Sequence, residues 1–145
     1  MGQQSASATW SGNLKAGNGS MSLPKGNYTG SYTFASRFET GEGTNPEELV
    51  GAAQAACFSM FLAAQITESG YQPTSVKTQA TVTLDTDAIG PKITKIQLDC
   101  SAEVPEISEE KFQELVKLSK TNCPISRLYS GTSISVSAKL GITVA

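Results

Sequence analysis

The stretch Gly43–Ala64, GTNPEELVGAAQAACFSMFLAA, decides the fold of this chain. Asn45 is a suitable N-cap, the proline after it suits the first helical position, and Glu48 at the third position is expected to complete a capping box. Small and apolar residues then continue without a break signal until Gly70, a residue that commonly ends helices. The pattern predicts one long helix from Asn45 to about Ser69.

The apolar residues of this helix cover its whole circumference rather than one stripe, which is typical of a helix buried on nearly all sides. A chain of 145 residues can hardly wrap such a helix completely. We therefore expect a homodimer. The apolar run itself, Leu49–Ala64, is 16 residues long and is interrupted by Gln54 and Ser59, so it falls short of the ~20 residues that span a bilayer.

Alternating and β-rich segments lie on both sides of the long helix, and a second helix is expected from Ser108 as N-cap to about Asn122. The expected strands cover residues 5–12, 19–24, 28–38, 75–85, 91–105 and 132–145. The fourth and fifth strands are joined by TDAIG and form an antiparallel hairpin in the simplest arrangement. The order βββ-α-ββ-α-β indicates an α+β fold on antiparallel sheets, in one domain over residues 1–145.

The composition excludes several classes of function. A formal charge of −2 gives no general attraction to nucleic acid or to anionic lipid. The first residues, MGQQSASATW, lack the features of a signal peptide, so we expect a cytoplasmic protein. The three cysteines contain no CxxC pair, and the chain has no histidine, which excludes a Ser-His-Asp triad, a Cys-His dyad and any His-based metal site. A nucleophile in this chain must be activated in another way.

Each cysteine has a different setting. Cys57 lies in the apolar helix, where a free thiol is more often packing material than a reagent. Cys123 precedes Pro124 and is expected to cap a short helical turn, PISRLYS, whose free amides lower the pKa of a thiol. A cysteine that merely lies at a helix break has the same pattern. Cys100 continues the apolar alternation of its strand and is expected in the core.

Two further charged residues are candidates for the same chemistry. Arg37 is expected at the end of a strand, before a glycine-rich loop, where it can either stabilise a thiolate or lie in solvent. Glu47 precedes Cys57 by ten residues on one helix, which is a rise of about 15 Å, so it cannot touch the thiol of its own chain. Glu47 must therefore act through Arg37 or across a subunit boundary, or it only complements the helix dipole.

Two quoted segments carry a family resemblance. The segments RFETGEGTNPEELVGAAQAACFSM and, 66 residues after Cys57, NCPIS resemble the OsmC/Ohr family of thiol-dependent hydroperoxide reductases, and its OsmC branch more than its Ohr branch. The resemblance implies an OsmC-like fold and an intertwined homodimer with two sites at the subunit interface. It further implies that Cys57 is the peroxidatic cysteine, Cys123 the resolving cysteine, Arg37 the activating arginine and Glu47 its carboxylate partner. Gln54 stands where many relatives have histidine.

The expected chemistry needs no metal, haem or flavin. Cys57 attacks a hydroperoxide and becomes a sulfenic acid, Cys123 condenses with it to a disulfide, and an external dithiol or lipoyl protein reduces that disulfide. Organic hydroperoxides are favoured over hydrogen peroxide, with Phe58, Met60 and Phe61 as expected walls, and the role is defence against oxidative or osmotic stress. Two alternatives stay open from the residues alone: a non-catalytic protective dimer that holds a small apolar ligand, and a hotdog-type thioesterase.

Overall fold

The structure is a computed structural model, and it describes residues 2–141. Two three-stranded sheets and four helices make up these residues. In chain order the elements are β1 (Ser7–Ser11), β2 (Asn18–Leu23), β3 (Tyr28–Tyr32), α1 (Phe34–Phe38), α2 (Pro46–Glu68), β4 (Ser75–Thr86), β5 (Pro91–Glu103), α3 (Glu109–Asn122), α4 (Pro124–Leu128) and β6 (Ser133–Leu140). The α+β class is confirmed.

The chain divides into two compact units between Leu49 and Val50, within α2. The first unit contains β1, β2, β3 and α1 together with the first turn of α2. The second contains the rest of α2 and every later element. One domain over residues 1–145 stays a prediction.

The first unit is an antiparallel meander in the order β1-β2-β3. The prediction of one long strand over residues 28–38 is wrong, because β3 ends at Tyr32 and Thr33 starts a helical turn. The Thr33 hydroxyl accepts a hydrogen bond from the Ser36 amide at 3.1 Å, and the Ser36 hydroxyl accepts one from the Thr33 amide at 2.8 Å. Because of this reciprocal capping, Arg37 lies in α1 and not at the end of a strand, where it was expected.

The long helix α2 begins and ends as predicted. Asn45 Oδ1 accepts a hydrogen bond from the Glu48 amide at 2.7 Å, and Gly70 follows the helix with φ +95°. The second half of the expected capping box is wrong, because the Glu48 carboxylate accepts a hydrogen bond from the Thr44 hydroxyl instead of from the Asn45 amide. The single Asn45 bond still satisfies one free amide of the first turn.

Within one chain, α2 is not buried on nearly all sides, and that prediction is wrong for the single subunit. One row of side chains, spaced four residues apart, is fully buried: Gln54, Phe58, Leu62 and Ile66. The row on the opposite side is exposed, and we call it the exposed α2 stripe: Ala52, Ala56, Met60 and Ala64. Met60 is 79% exposed. The remaining elements of the second unit cover only one side of the helix.

By length and composition alone, α2 is apolar and long enough to cross a membrane, although only 28% of the tested window is buried in the structure. The expectation that its apolar run is too short does not hold by this measure, since the helix has 23 residues. The observation is weak evidence for a membrane span, because the core helix of a soluble protein passes the same test.

The second sheet has the order β4-β5-β6. The predicted hairpin is confirmed: β4 and β5 pair antiparallel, and Asp87 in the turn accepts hydrogen bonds from two amides. The pairing skips Thr94, since Thr83 pairs with Lys95 and Leu84 with Ile93. Ile93 lies an odd number of residues from Ile96 and from Leu98, so regular alternation would place it on the opposite face of β5. The bulge turns it toward the core, where it packs against the same cluster.

The expectation of purely antiparallel sheets is wrong for β6, which pairs parallel to β5. A parallel neighbour requires a crossover connection, and α3 and α4 provide it. The sequence already had the order strand, helix, strand that is typical of such a unit. The last predicted strand also included residues 142–145, which lie outside the described residues.

The core of the second unit lies between the inner face of its sheet and one face each of α2 and α3. The capping of α3 by Ser108 is confirmed, and the buried side chains of this helix are Phe112, Leu115, Val116 and Ser119. The three apolar ones pack in one cluster with Phe58, Leu62 and Ile66 of α2 and with Ile96, Leu98, Cys100 and Ala102 of β5. This core fixes the position of α2, and with it the position of Cys57.

Candidate active site

Two of the three cysteines meet in the second unit. Cys57 lies in the middle of α2, and Cys123 ends α3 and caps α4. Both sulfurs lie against the first turn of α4, where consecutive backbone amides hydrogen-bond to them. Pro124 forces the break between α3 and α4 that leaves Cys123 in an extended conformation at this point.

The first turn of α4 directs backbone amides at both sulfurs. The Ile125 amide donates a hydrogen bond to Cys57 Sγ at 3.5 Å, and the Ser126 amide donates one to Cys123 Sγ at 3.4 Å. The predicted capping of this turn by Cys123 is thereby confirmed. Amides in such positions have no partner within the helix, so a sulfur that accepts from them removes an unsatisfied donor.

The pKa of the Cys57 thiol is raised in the single chain. Burial makes the largest contribution, because it disfavours the charged form, and the nearby Cys123 thiol raises the pKa further. The Ile125 amide acts in the opposite direction, since its hydrogen bond stabilises the thiolate. Cys57 therefore needs a further source of positive potential to react as a thiolate at neutral pH.

Cys123 is completely buried, whereas Cys57 is half-buried. The Cys123 thiol lies 3.1 Å from the Ser126 hydroxyl, and the Gln54 amide nitrogen lies 3.7 Å from Cys123 Sγ and 2.8 Å from Ser126 Oγ. Our sequence reading gave Ser126 no role. The signal was a serine three residues after an expected N-cap, the spacing at which an N-cap side chain and a helical residue meet.

In the first unit, Arg37 and Glu47 form an ion pair with two parallel hydrogen bonds. Arg37 Nε donates to Glu47 Oε1 at 3.0 Å, and Arg37 Nη2 donates to Glu47 Oε2 at 2.9 Å. The Glu47 side chain is largely buried and that of Arg37 is about one-third exposed. A forked pair of this kind fixes the plane of the guanidinium and leaves Nη1 for another acceptor.

A cavity of about 230 Å³ in the first unit lies beside Arg37. Its lining includes four aromatic side chains, which are Trp10, Tyr32, Phe34 and Phe38. The Arg37 guanidinium carbon lies 5.2 Å from the centre of the Phe38 ring. The cavity therefore offers an apolar surface next to a permanent cation.

The two remaining expectations about side chains have different outcomes. Cys100 belongs to the core, as predicted, and burial raises the pKa of its thiol while a hydrogen bond with Thr78 lowers it. Phe58 was expected to line a substrate pocket and instead packs in the core, completely buried. The reason is its helical position, which is on the side of α2 opposite to Met60.

Comparisons with known proteins agree with one another. The model of the family described as OsmC-like protein matches residues 39–139. The protein named peroxiredoxin OsmC of Escherichia coli strain K12 is 44% identical over 122 residues, which cover 83% of this chain and 85% of that protein. The crystal structure of the organic hydroperoxide resistance protein OhrB of Bacillus subtilis has 25% identity and a TM-score of 0.69, covering 93% of this chain and 98% of that chain.

A further likeness concerns the fold alone. An OsmC-like protein of unknown function from Vibrio cholerae superposes with a TM-score of 0.75 at 16% identity, over 96% of this chain and 100% of that chain. A match of this quality over nearly the full length agrees with the order of strands and helices described above.

Proposed function

This chain belongs to the OsmC family, and we propose that it is a thiol-dependent peroxidase that reduces organic hydroperoxides to alcohols. The observation that carries the proposal is the meeting of Cys57 and Cys123, with amides of α4 hydrogen-bonded to both sulfurs. Two of the proteins that this chain resembles have names that refer to the same chemistry, a peroxiredoxin and an organic hydroperoxide resistance protein. The proposed role is protection during oxidative or osmotic stress.

The first half of the reaction oxidises Cys57. Its thiolate attacks one oxygen of ROOH, the O–O bond breaks, and the departing alkoxide takes up a proton to become the alcohol. Cys57 is left as a sulfenic acid. Cys57 is the better attacking group of the two cysteines, because it is half-buried while Cys123 is completely buried.

The second half closes and reopens a disulfide. The Cys123 sulfur attacks the sulfenic sulfur of Cys57, and hydroxide leaves and becomes water by taking up a proton. An external dithiol or a lipoyl protein then supplies two electrons, becomes a cyclic disulfide, and restores both thiols. Neither half needs a metal or an organic cofactor.

Arg37 is the proposed source of positive potential for Cys57. Burial and Cys123 raise the pKa of the Cys57 thiol, so a cation must offset them if the thiolate is to form near neutral pH. Glu47 holds the guanidinium by two hydrogen bonds and so determines where the remaining donors of Arg37 point.

A homodimer is the proposed assembly. The exposed α2 stripe consists of three alanines and one methionine, and small residues of this kind let a second helix approach closely. The stripe gives physical support to the prediction that α2 is covered by a second subunit. We propose that the dimer is cytoplasmic and interacts with neither nucleic acid nor membrane.

The aromatic cavity beside Arg37 favours organic hydroperoxides. Its volume of about 230 Å³ accommodates a small aryl or branched alkyl group, and its mostly aromatic lining suits such a group better than it suits hydrogen peroxide. Arg37 at its edge is suited to the peroxide oxygen. The cavity therefore replaces Phe58 as the proposed apolar wall.

The proposal is tested with cumene hydroperoxide and dithiothreitol. We expect Cys57→Ser to abolish turnover, because the reacting sulfur is gone. We expect Cys123→Ser to complete the first oxidation without forming a disulfide, which intact mass with a sulfenic-acid trap detects. Retained turnover in Cys57→Ser would remove Cys57 from the central role. Absence of both turnover and peroxide-dependent thiol loss in the wild-type protein would favour the alternative, a non-catalytic dimer that binds an apolar ligand.

A further inference from the structure

Gln54 is a completely buried amide beside the proposed resolving cysteine. It lies one turn before Phe58 in the buried row of α2. Its nitrogen is 2.8 Å from Ser126 Oγ and 3.7 Å from Cys123 Sγ. Because Ser126 Oγ is in turn 3.1 Å from Cys123 Sγ, Gln54, Ser126 and Cys123 form one hydrogen-bonded cluster.

An amide is an unfavourable choice at this position for stability alone. Gln54 Oε1 is buried and has no hydrogen-bond partner among residues 2–141. A buried acceptor without a partner costs about 1–3 kcal/mol, whereas an unbranched apolar side chain of similar length would match the rest of the buried row. Packing therefore does not explain why an amide occupies this position, and the hydrogen bonds of its nitrogen require another explanation.

The environments of the two sulfurs differ in both access and donors. Cys57 is half-buried and accepts one hydrogen bond, from the Ile125 amide. Cys123 is completely buried, and three groups able to donate surround its sulfur: the Ser126 amide, the Ser126 hydroxyl and the Gln54 amide. An external thiol can reach only the first sulfur, while the second is the better place for a negative charge.

We propose that Gln54 and Ser126 are positioning residues that make Cys123 the leaving sulfur when the disulfide is reduced. The inference rests on the proposed peroxidase function, since it presupposes the Cys57–Cys123 disulfide. It assigns to these two residues the regiochemistry and the rate of the reductive half of the cycle.

The step balances as a thiol–disulfide exchange. A thiolate of the external dithiol attacks Cys57 Sγ and forms a mixed disulfide with it. The Cys57–Cys123 bond breaks, and its electron pair stays on Cys123 as a thiolate, which accepts hydrogen bonds from Ser126 and Gln54. The second thiol of the reductant then attacks the reductant sulfur that is bonded to Cys57 and closes a cyclic disulfide, and Cys57 leaves as a thiolate. The two protons of the dithiol neutralise the two protein thiolates.

Reduction and oxidation should respond differently to the loss of a donor. Exchange is faster when the leaving thiolate is more stable, so donors at Cys123 accelerate reduction. In the attack of Cys57 on the hydroperoxide the Cys123 sulfur forms and breaks no bond, so a donor to that sulfur matters less there. The loss of the Gln54 or Ser126 donor should therefore slow the reductive half selectively.

The experiment compares Gln54→Met and Ser126→Ala with wild-type protein. Ser119→Ala is the matched control, because Ser119 is also a buried serine, but its hydroxyl donates its hydrogen bond to the Leu115 carbonyl and not to a sulfur. Each protein is oxidised with one equivalent of cumene hydroperoxide and mixed with dithiothreitol. Free thiols are then labelled with N-ethylmaleimide after quenching and counted by intact mass.

We expect the rate constant for disulfide reduction to fall about tenfold in Gln54→Met and in Ser126→Ala, the loss typical of a hydrogen bond to a charged group. The rate constant for hydroperoxide consumption in a single turnover should change less than about twofold. The melting temperature of Gln54→Met should stay unchanged or rise, because an unsatisfied carbonyl is removed. Unchanged reduction, or equal losses in both halves with a lower melting temperature, would overturn the inference.

The site of attack is tested on the wild-type disulfide with an excess of the monothiol 2-mercaptoethanol. Acid quenching and peptide mapping should locate the mixed disulfide on Cys57. A mixed disulfide on Cys123 would contradict the inference while leaving the peroxidase function intact. If hydroperoxide produces no Cys57–Cys123 disulfide in the wild-type protein, the proposed function fails, and the two failures are thus distinguishable.

Discussion

Met60 on the exposed α2 stripe provides the sharpest test of the proposed dimer. It is 79% exposed in the single chain, so only the remaining fifth of its surface is buried there. Complete burial of a methionine side chain is worth about 1.5–3 kcal/mol. If the protein were a monomer, Met60→Lys would therefore cost only about 0.3–0.6 kcal/mol of unfolding free energy.

A dimer that covers the stripe predicts a much larger effect. Each subunit then loses the burial of the other four-fifths of Met60, about 1.2–2.4 kcal/mol, and a dimer loses this twice. Removing two ammonium groups from water adds a further penalty. We expect the dissociation constant of the dimer to rise about 50-fold or more, at 1.4 kcal/mol for each factor of ten.

Sedimentation equilibrium across a range of protein concentrations measures this constant. Ile89→Lys is the matched control, because Ile89 is 98% exposed and lies in the turn between β4 and β5, outside the stripe. The control should dimerise like the wild-type protein. Dimers of high or moderate affinity form at about 10 μM, so a wild-type protein that is monomeric at this concentration would refute the reasoning. An unchanged dissociation constant in Met60→Lys would refute it as well.

Three further predictions concern the thiols and the ion pair. Arg37→Ala should shift the pH midpoint of Cys57 alkylation upward, because burial and Cys123 then raise the pKa of the thiol without a cation to offset them. Iodoacetamide labelling from pH 5 to 10 measures the shift, and an unchanged midpoint would show that Arg37 does not activate the thiolate. Glu47→Gln should lower the rate of Cys57 oxidation by about tenfold while retaining the fold, since one neutral hydrogen bond replaces a forked ion pair. Stopped-flow measurement of oxidation gives the rate, and circular dichroism checks the fold. A rate equal to that of the wild-type protein contradicts this prediction. Cys100→Ala should leave turnover unchanged within about twofold. In the wild-type protein Cys100 should be alkylated more slowly than the half-buried Cys57, because it lies in the core and burial raises the pKa of its thiol; rapid labelling of Cys100 contradicts the core assignment.

Much of the fold could be predicted because its start and stop signals are local. In the sequence Asn45 marks the start of α2 and Gly70 its end, and Ser108 and Pro124 mark the start and the end of α3 in the same way. The parallel position of β6 could not be read from alternation, because alternation indicates which face a side chain takes and not which way a strand runs. The helix α1 was missed because aromatic and β-branched residues around Thr33 favour a strand, while its two-way capping with Ser36 decides otherwise.

The candidate site divides in a similar way. The Cys123 cap followed from the proline after it, and the burial of Cys100 followed from the strand pattern. The Gln54 contact with Ser126 joins residues 72 positions apart, so no local pattern predicts it. The predicted burial of α2 on nearly all sides is wrong for the single subunit, because the exposed α2 stripe has no cover within one chain. Its cover by a second subunit stays a prediction.

Thiol titration before and after exposure to peroxide tests the central claim most directly. Reduced protein has three free cysteines per chain, Cys57, Cys100 and Cys123. After one equivalent of cumene hydroperoxide we expect only Cys100 to remain titratable in denaturant, with Cys57 and Cys123 joined in one disulfide-linked peptide pair. Three titratable thiols after exposure, with the hydroperoxide unconsumed, would contradict the account.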